Sequence, residues 1–321
     1  MRYKSSPTIT IELGGGLGNQ IFGLIAGMYG QALTGFDLEL DFRNVSYAHN
    51  RKNYDLRSFT LPYRCIDSRY SQTKMYKNLR RLNDLLNYRS SIYRRVTSNK
   101  KEKFTDLSDA WIEETNWYFG KISRNTLISG PHANFSYIDK LEDLLGKRVT
   151  LPLKNESTWL KEKTNQMNVK LPICVHIRRG DYIGLEKSLS RIGLLSSEYY
   201  SKGIRHIAGE YDTNNTVWIF SDSPEIAKVI ARKMNLHREF EIEVITPPNE
   251  HDPAESLILQ SRADFHVIGN SSFSHWAARL SQTSKITVYP SHYYYNSSNL
   301  IGHKYPNWVS MPSSWETHGQ E

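Results

Sequence analysis

The chain has 321 residues, 39% hydrophobic and 12% aromatic, and a formal net charge of +8, the make-up of an ordinary globular protein rather than a disordered or fibrous one. No run approaches the roughly 18 apolar residues of a membrane span, and Met1 to Pro7 enters a strand without a secretory apolar core, so a cytoplasmic protein is expected. Its only cysteines, Cys65 and Cys174, are far apart and belong to no Cys-x-x-Cys pair, which argues against a disulfide framework or a thiolate metal centre.

In chain order, Thr8 to Leu13 is rich in β-branched residues, Gly14-Gly15-Gly16-Leu17-Gly18 is a glycine turn, and Gln20 to Thr34 carries apolar residues at helical spacing. Phe36 to Phe42 then alternates like a strand. This imitates a βαβ dinucleotide unit, but the G-x-G-x-x-G fingerprint fails: counted from Gly14 and Gly16 its third place is Asn19, and from Gly16 and Gly18 it is Ile21. No Gly-Lys-Ser/Thr follows, so a Walker loop fails too. The loop can lie against a ligand, with the Asn19 amide pointing at it, without naming that ligand; a plain tight turn is the alternative.

Residues 69–103 hold eleven Lys/Arg against Asp84 and Glu102. Met75, Leu79, Leu82, Leu86 and Tyr93 form a helical stripe there, so a basic amphipathic helix able to rest on an anionic membrane is one reading and a solvated face the other. No nucleic-acid motif accompanies the charge. A charged helix is expected over Tyr137 to Leu145, and a polar stretch punctuated by Lys170-Leu171-Pro172 marks a domain boundary, giving domains 1–168 and 169–321.

Beyond the boundary the pattern is α/β: strands at 173–177, 216–220, 241–245, 265–268 and 285–289 alternate with helices at 198–210, 224–234, 254–262 and 273–280. This predicts a doubly wound parallel sheet. Ligands of such sheets bind beyond the carboxyl ends of the strands. Arg178 and Arg179 leave the first of these strands together, and the arginine fork suits phosphate oxygens. Asn270-Ser271-Ser272-Phe273-Ser274 opens a helix, where free N–H groups and the dipole favour an anion. Asp222 is placed to accept from a ribose hydroxyl or a base N–H. Together these describe a site for a diphosphate nucleotide. No Asp-x-Asp pair is present to hold a bridging metal, so arginines and helix termini are expected to take the leaving charge without one.

Gly15-Gly16-Leu17-Gly18-Asn19-Gln20, His176-Ile177-Arg178-Arg179-Gly180-Asp181-Tyr182, Phe220-Ser221-Asp222-Ser223-Pro224 and Asn270 to Ala278, in this order, resemble the signatures of the inverting α-1,2-fucosyltransferases, glycosyltransferase family 11. The resemblance implies a GT-B-like fold of two Rossmann-like domains with a donor cleft between them. It also implies transfer of L-fucose, with inversion, from GDP-β-L-fucose to the 2-hydroxyl of a galactose-type acceptor, either a soluble oligosaccharide or a lipid-linked surface glycan at the inner membrane face. Carried over by position, Arg178 would grip the β-phosphate, with Arg179 and His176 supporting the diphosphate or nucleoside. Asp222 would meet the guanosine, Asn270 to Ser274 would complete the cradle, and Gly16 and Asn19 would approach phosphate or fucose. Asp181 and Glu186 are the alternative bases for the acceptor proton. His275 and Arg279 depart from the tryptophans common in bacterial members and put the fine packing of the cradle's helix in question. The aromatic stretch from Tyr289 to Trp315 suits either acceptor contact or packing. A non-catalytic glycan or nucleotide-sugar binder on the same fold and an NAD-dependent oxidoreductase are the readings from other classes.

Overall fold

The computed structural model describes residues 7–42, 45, 56–66, 94–97, 126–129, 134–180, 192–248, 252–295 and 305–316. It divides into two compact units, Met1–Lys154 and Asn155–Glu321. Asp181, Glu186 and most of the basic stretch 69–103 lie outside the described residues.

The N-terminal unit is a five-stranded parallel sheet. Strands β1 (Thr8–Glu12), β2 (Asp37–Asp41), β3 (Arg64–Ile66), β4 (Arg94–Thr97) and β5 (Thr126–Ser129) lie in the order β3-β2-β1-β5-β4. The described part of the basic stretch, Arg94–Thr97, is a strand, and the expected helical stripe from Met75 to Tyr93 lies outside the described residues. Helix α1 (Leu17–Thr34) follows the glycine loop and α2 (Ser136–Leu145) packs beside it, with Phe22 against Phe135 and Tyr29 against Tyr137. Helix α1 lies close to the sheet because of Gly27: a β-carbon there would come within 2.7 Å of Ile11 and 2.8 Å of Leu38. The close-packing glycine of a βαβ unit is therefore present, though not at the fingerprint position.

The C-terminal unit begins with α3 (Thr158–Lys170), so it starts earlier than the expected residue 169. Polar anchors hold α3 to this unit. The Glu255 carboxylate accepts from the backbone N–H and the hydroxyl of Ser157, each at 2.7 Å, and Ser157 in turn caps Leu160 N. Arg262 bonds Thr164 at 2.7 Å and pairs with Glu156, while Lys163 pairs with Glu243 at 2.6 Å. The helix ends where Leu171 turns left-handed, φ 47°, ahead of Pro172.

Next come β6 (Ile173–Ile177), α4 (Ser197–Glu210), β7 (Thr216–Ser221), α5 (Pro224–Lys233), β8 (Glu241–Val244), α6 (Pro253–Ser261), β9 (Phe265–Val267), α7 (Ser272–Arg279), β10 (Ile286–Pro290) and β11 (Trp308–Met311). All six strands are parallel, in the order β11-β10-β9-β6-β7-β8. The five expected strands are present. The sixth, β11, comes from the aromatic tail, which pairs with β10 from Thr287 to Pro290. Ile173, Val175, Val217, Ile219, Val267 and Val288 build the core with Tyr199, Ile204 and Ile207 of α4. The chain goes from β6 outward to β7 and β8, then returns to the other side of β6 as β9, so the order switches between β6 and β9. That switch is where a doubly wound sheet opens a crevice. No described helix is long and apolar enough to cross a membrane.

Candidate active site

The carboxyl ends of β6, β7 and β9 bring three of the sequence motifs together. On β6, Ile173, Val175 and Ile177 face the core, which turns His176 to the other face. There its ring stacks on Phe273 of α7 at 5.3 Å between centroids. Burial pushes the imidazole down to about pKa 4, with the Arg178 charge acting in the same direction and Asp222 opposing, so it is neutral at pH 7. Among the described residues His176 Nδ1 has no hydrogen-bond partner.

Just past β6, the carboxylate of Asp222 organises the turn. It pairs with Arg178 Nη1 at 2.9 Å, accepts from the backbone N–H of Arg179 at 2.9 Å, and accepts from that of Gly180. Burial raises the Asp222 pKa, but Arg178, the two N–H groups and His176 outweigh it and hold the carboxyl below the usual range. Gly180 is needed here, since a β-carbon would sit 2.3 Å from Asp222 Oδ2. The carboxylate expected to meet the guanosine thus also holds the β6 turn.

The two arginines part company. Arg178 keeps its side chain 27% exposed at the strand end. Arg179 is 1% exposed, and its guanidinium donates to Arg178 O at 2.9 Å, Leu195 O at 2.7 Å and Glu316 Oε1 at 2.8 Å. Arg179, expected to support the diphosphate or nucleoside, has its guanidinium buried in protein contacts, so any support it gives passes through the residues it holds.

Beyond β9, Gly269 lies where a β-carbon would meet His176 O at 3.0 Å. Asn270 is buried, and its Nδ2 donates to Ile192 O, Gly193 O and Tyr293 O at 3.1 to 3.2 Å. Its amide nitrogen thus ties these loops together. Ser271 caps α7 through Phe273 N, and the buried Ser274 hydroxyl donates back to Ser271 O at 3.1 Å. Ser272 and Phe273 stay partly exposed in the first turn, where N–H groups lack helical partners. His275 and Arg279 pack on the opposite side of α7: His275 lies edge-on to Trp276 and Trp308, and Arg279 lies 4.8 Å over the Tyr305 ring. The unusual residues are thus accommodated by the tail's aromatics.

In the N-terminal unit the glycine loop is fixed from below. Gln20, fully buried, donates to Gly15 O at 3.0 Å and accepts from Leu56 N at 3.2 Å. Gly15 is left-handed, φ 71°, with the exposed Asn19 packed over it. Gly16 starts α1 with its carbonyl accepting from Asn19 N and Gln20 N. Gln20 thus positions the glycine loop, a role signalled in the sequence only by its place directly after Asn19 in the motif.

Residues 153–311 match glycosyl transferase family 11. The chain belongs to that family. Two Escherichia coli proteins are similar along nearly their whole length. One is an alpha-1,2-colitosyltransferase, 27% identical over 88% of this chain and 91% of its own. The other is the O-antigen biosynthesis glycosyltransferase WbnK, 27% identical over 93% and 99%. Among solved structures, the fucosyltransferase NodZ from Bradyrhizobium matches at 15% identity and TM-score 0.50, over 94% of this family 11 chain and 98% of that one. NodZ alpha-1,6-fucosyltransferase co-crystallized with GDP matches at 14% and 0.50, over 88% and 94%. These likenesses show the fold, a GT-B-like pair of Rossmann-like domains, and the family makes the chain a glycosyltransferase.

Proposed function

We propose that this family 11 glycosyltransferase moves L-fucose, or a sugar closely related to it, from a GDP donor to the 2-hydroxyl of a galactose-type acceptor with inversion, in the synthesis of an O-antigen-like surface glycan. The observation that carries the reading is Arg178, a partly exposed guanidinium held by Asp222 just past the carboxyl end of β6. In the reaction the acceptor oxygen attacks the anomeric carbon, the bond from that carbon to the β-phosphate oxygen breaks, and GDP leaves with the electron pair. Arg178 and the N–H groups of α7 stabilise that charge, and removing such a fixed donor costs about a hundredfold to a thousandfold in rate. The neutral His176 offers Nδ1 to the same anion, while Gly16 and Asn19 serve the donor from their own unit. Asp181 and Glu186 are the carboxylates proposed to take the acceptor proton. No step in this scheme calls for a metal.

The relatives support the sugar class and the pathway, the one by transferring colitose in an α-1,2 linkage and the other by its part in O-antigen biosynthesis. Colitose is the 3-deoxy form of L-fucose, so a GDP-colitose donor is the second reading. Nuclear magnetic resonance of the products from GDP-fucose and GDP-colitose, each with N-acetyllactosamine, tests both. An α-1,2-linked product from either donor is expected, and the ratio of the two kcat/KM values names the sugar. Transfer to another hydroxyl would reject the linkage. The basic stretch 69–103 is proposed as a peripheral membrane contact; unchanged binding to anionic vesicles after charge reversal of Arg80, Arg81, Arg94 and Arg95 would remove that idea.

A further inference from the structure

We infer that Glu316 is a positioning residue that sets Arg178 through Arg179. Residues 312–316 lie beyond the 153–311 segment matched to the family, yet they complete the site's support. They form a strap along the approach to α4. Ser196 N donates to Ser314 O at 2.8 Å, Glu316 N donates to Leu194 O at 2.8 Å, and Leu195 bridges Trp315. Ser314 also donates to Glu198 of α4 at 2.9 Å. Trp315 is wedged against Gly193, where a β-carbon would come within 2.8 Å of its ring, and stands edge-on to Tyr295. This strap delivers a carboxylate to the buried guanidinium of Arg179.

Among the described residues, the Arg179 guanidinium donates to two neutral carbonyls and to Glu316, whose carboxylate brings the charge, with the Tyr200 hydroxyl beside it. A buried cation requires such a partner or it is driven toward water. The third bond of Arg179 holds the carbonyl of Arg178, so displacement of Arg179 shifts the backbone from which the Arg178 side chain emerges. Asp222 grips the same turn from the other side through Arg179 N. Glu316 therefore acts two links away from the anion: on Arg179 by charge, and through it on the direction of Arg178. This inference rests on the reading that Arg178 meets the donor's diphosphate.

The test compares binding of GDP and of guanosine, by calorimetry on the full chain, for the wild type, Glu316→Gln, Arg178→Ala and the double variant. Guanosine lacks the phosphates, so a loosened fold weakens both ligands whereas a misdirected Arg178 weakens only GDP. For Glu316→Gln, GDP affinity is expected to fall roughly tenfold with guanosine unchanged, the size of a charge-assisted bond lost. In the Arg178→Ala background the same change is expected to cost nothing further. Equal losses for the two ligands, an unchanged GDP affinity, or the same loss without Arg178 would each overturn the inference. If Glu316→Gln does not fold, Glu316→Asp, which keeps the charge and withdraws it by one methylene, is read by the same GDP-to-guanosine ratio. A wild type that fails to bind GDP sinks the functional reading itself, a result distinct from any of these.

Discussion

At position 180 a single β-carbon would land on the carboxylate that organises the β6 turn, so Gly180→Ala must displace Asp222. Asp222 then gives up charge-assisted bonds to Arg178 and to two backbone N–H groups, and GDP binding is expected to weaken roughly tenfold to a hundredfold. Calorimetry on that variant checks it; an unaltered affinity means the turn does not aim Arg178. Two buried histidines make a separate prediction. His176 and His266 are both held at about pKa 4 by burial, below their ordinary 6.5. Between those values the unfolded chain binds protons that the folded chain refuses, so stability falls as pH drops through 6.5 and keeps falling until about 4. From pH 7 to pH 5 each histidine accounts for about 2 kcal/mol of lost stability. Urea melts at both pH values should show a smaller loss for His266→Gln than for the wild type, and identical losses would mean that His266 titrates normally in the folded state.

Among the elements, α1 and α3 show how packing and polar anchors replace sequence punctuation. Helix α1 rests on β1 and β2 at Gly27, and Gly27→Ala should cost about 1 to 3 kcal/mol through overpacking against Ile11 and Leu38. A denaturant midpoint equal to the wild type's would show that the sheet yields freely at that point. The strands of the C-terminal sheet were legible because buried parallel strands read as short apolar runs between helices. Strand β11 was not, since Trp308-Val309-Ser310-Met311 sits in a tail where aromatics suggest sugar contact as readily as packing. The start of the C-terminal unit was misplaced for a similar reason: α3 is polar, and what assigns it is the bonding of Ser157, Lys163 and Thr164 to Glu255, Glu243 and Arg262. Such partners lie far along the chain, and no periodicity reveals them.

Over the whole molecule, two parallel sheets each put a glycine- or arginine-bearing turn at the carboxyl end of their first strand, β1 in one unit and β6 in the other. That much could be read from the order of motifs, which gave the family and the class of fold. The division of labour between neighbours could not. Arg178 and Arg179 are alike in sequence, but one stays at the strand end and the other is buried by Leu195 and by Glu316. Likewise Asn270 and Ser274 sit inside the motif as expected but direct their polar atoms to backbone carbonyls. In the proposed reaction the electrostatic task therefore falls on Arg178 and the first turn of α7. The most direct test is release of GDP from GDP-fucose and from GDP-colitose, with N-acetyllactosamine as acceptor and EDTA present, by the wild type and by Arg178→Ala. Acceptor-dependent release by the wild type that drops about a hundredfold or more in the variant is the predicted result. Equal release by the two proteins would contradict the account.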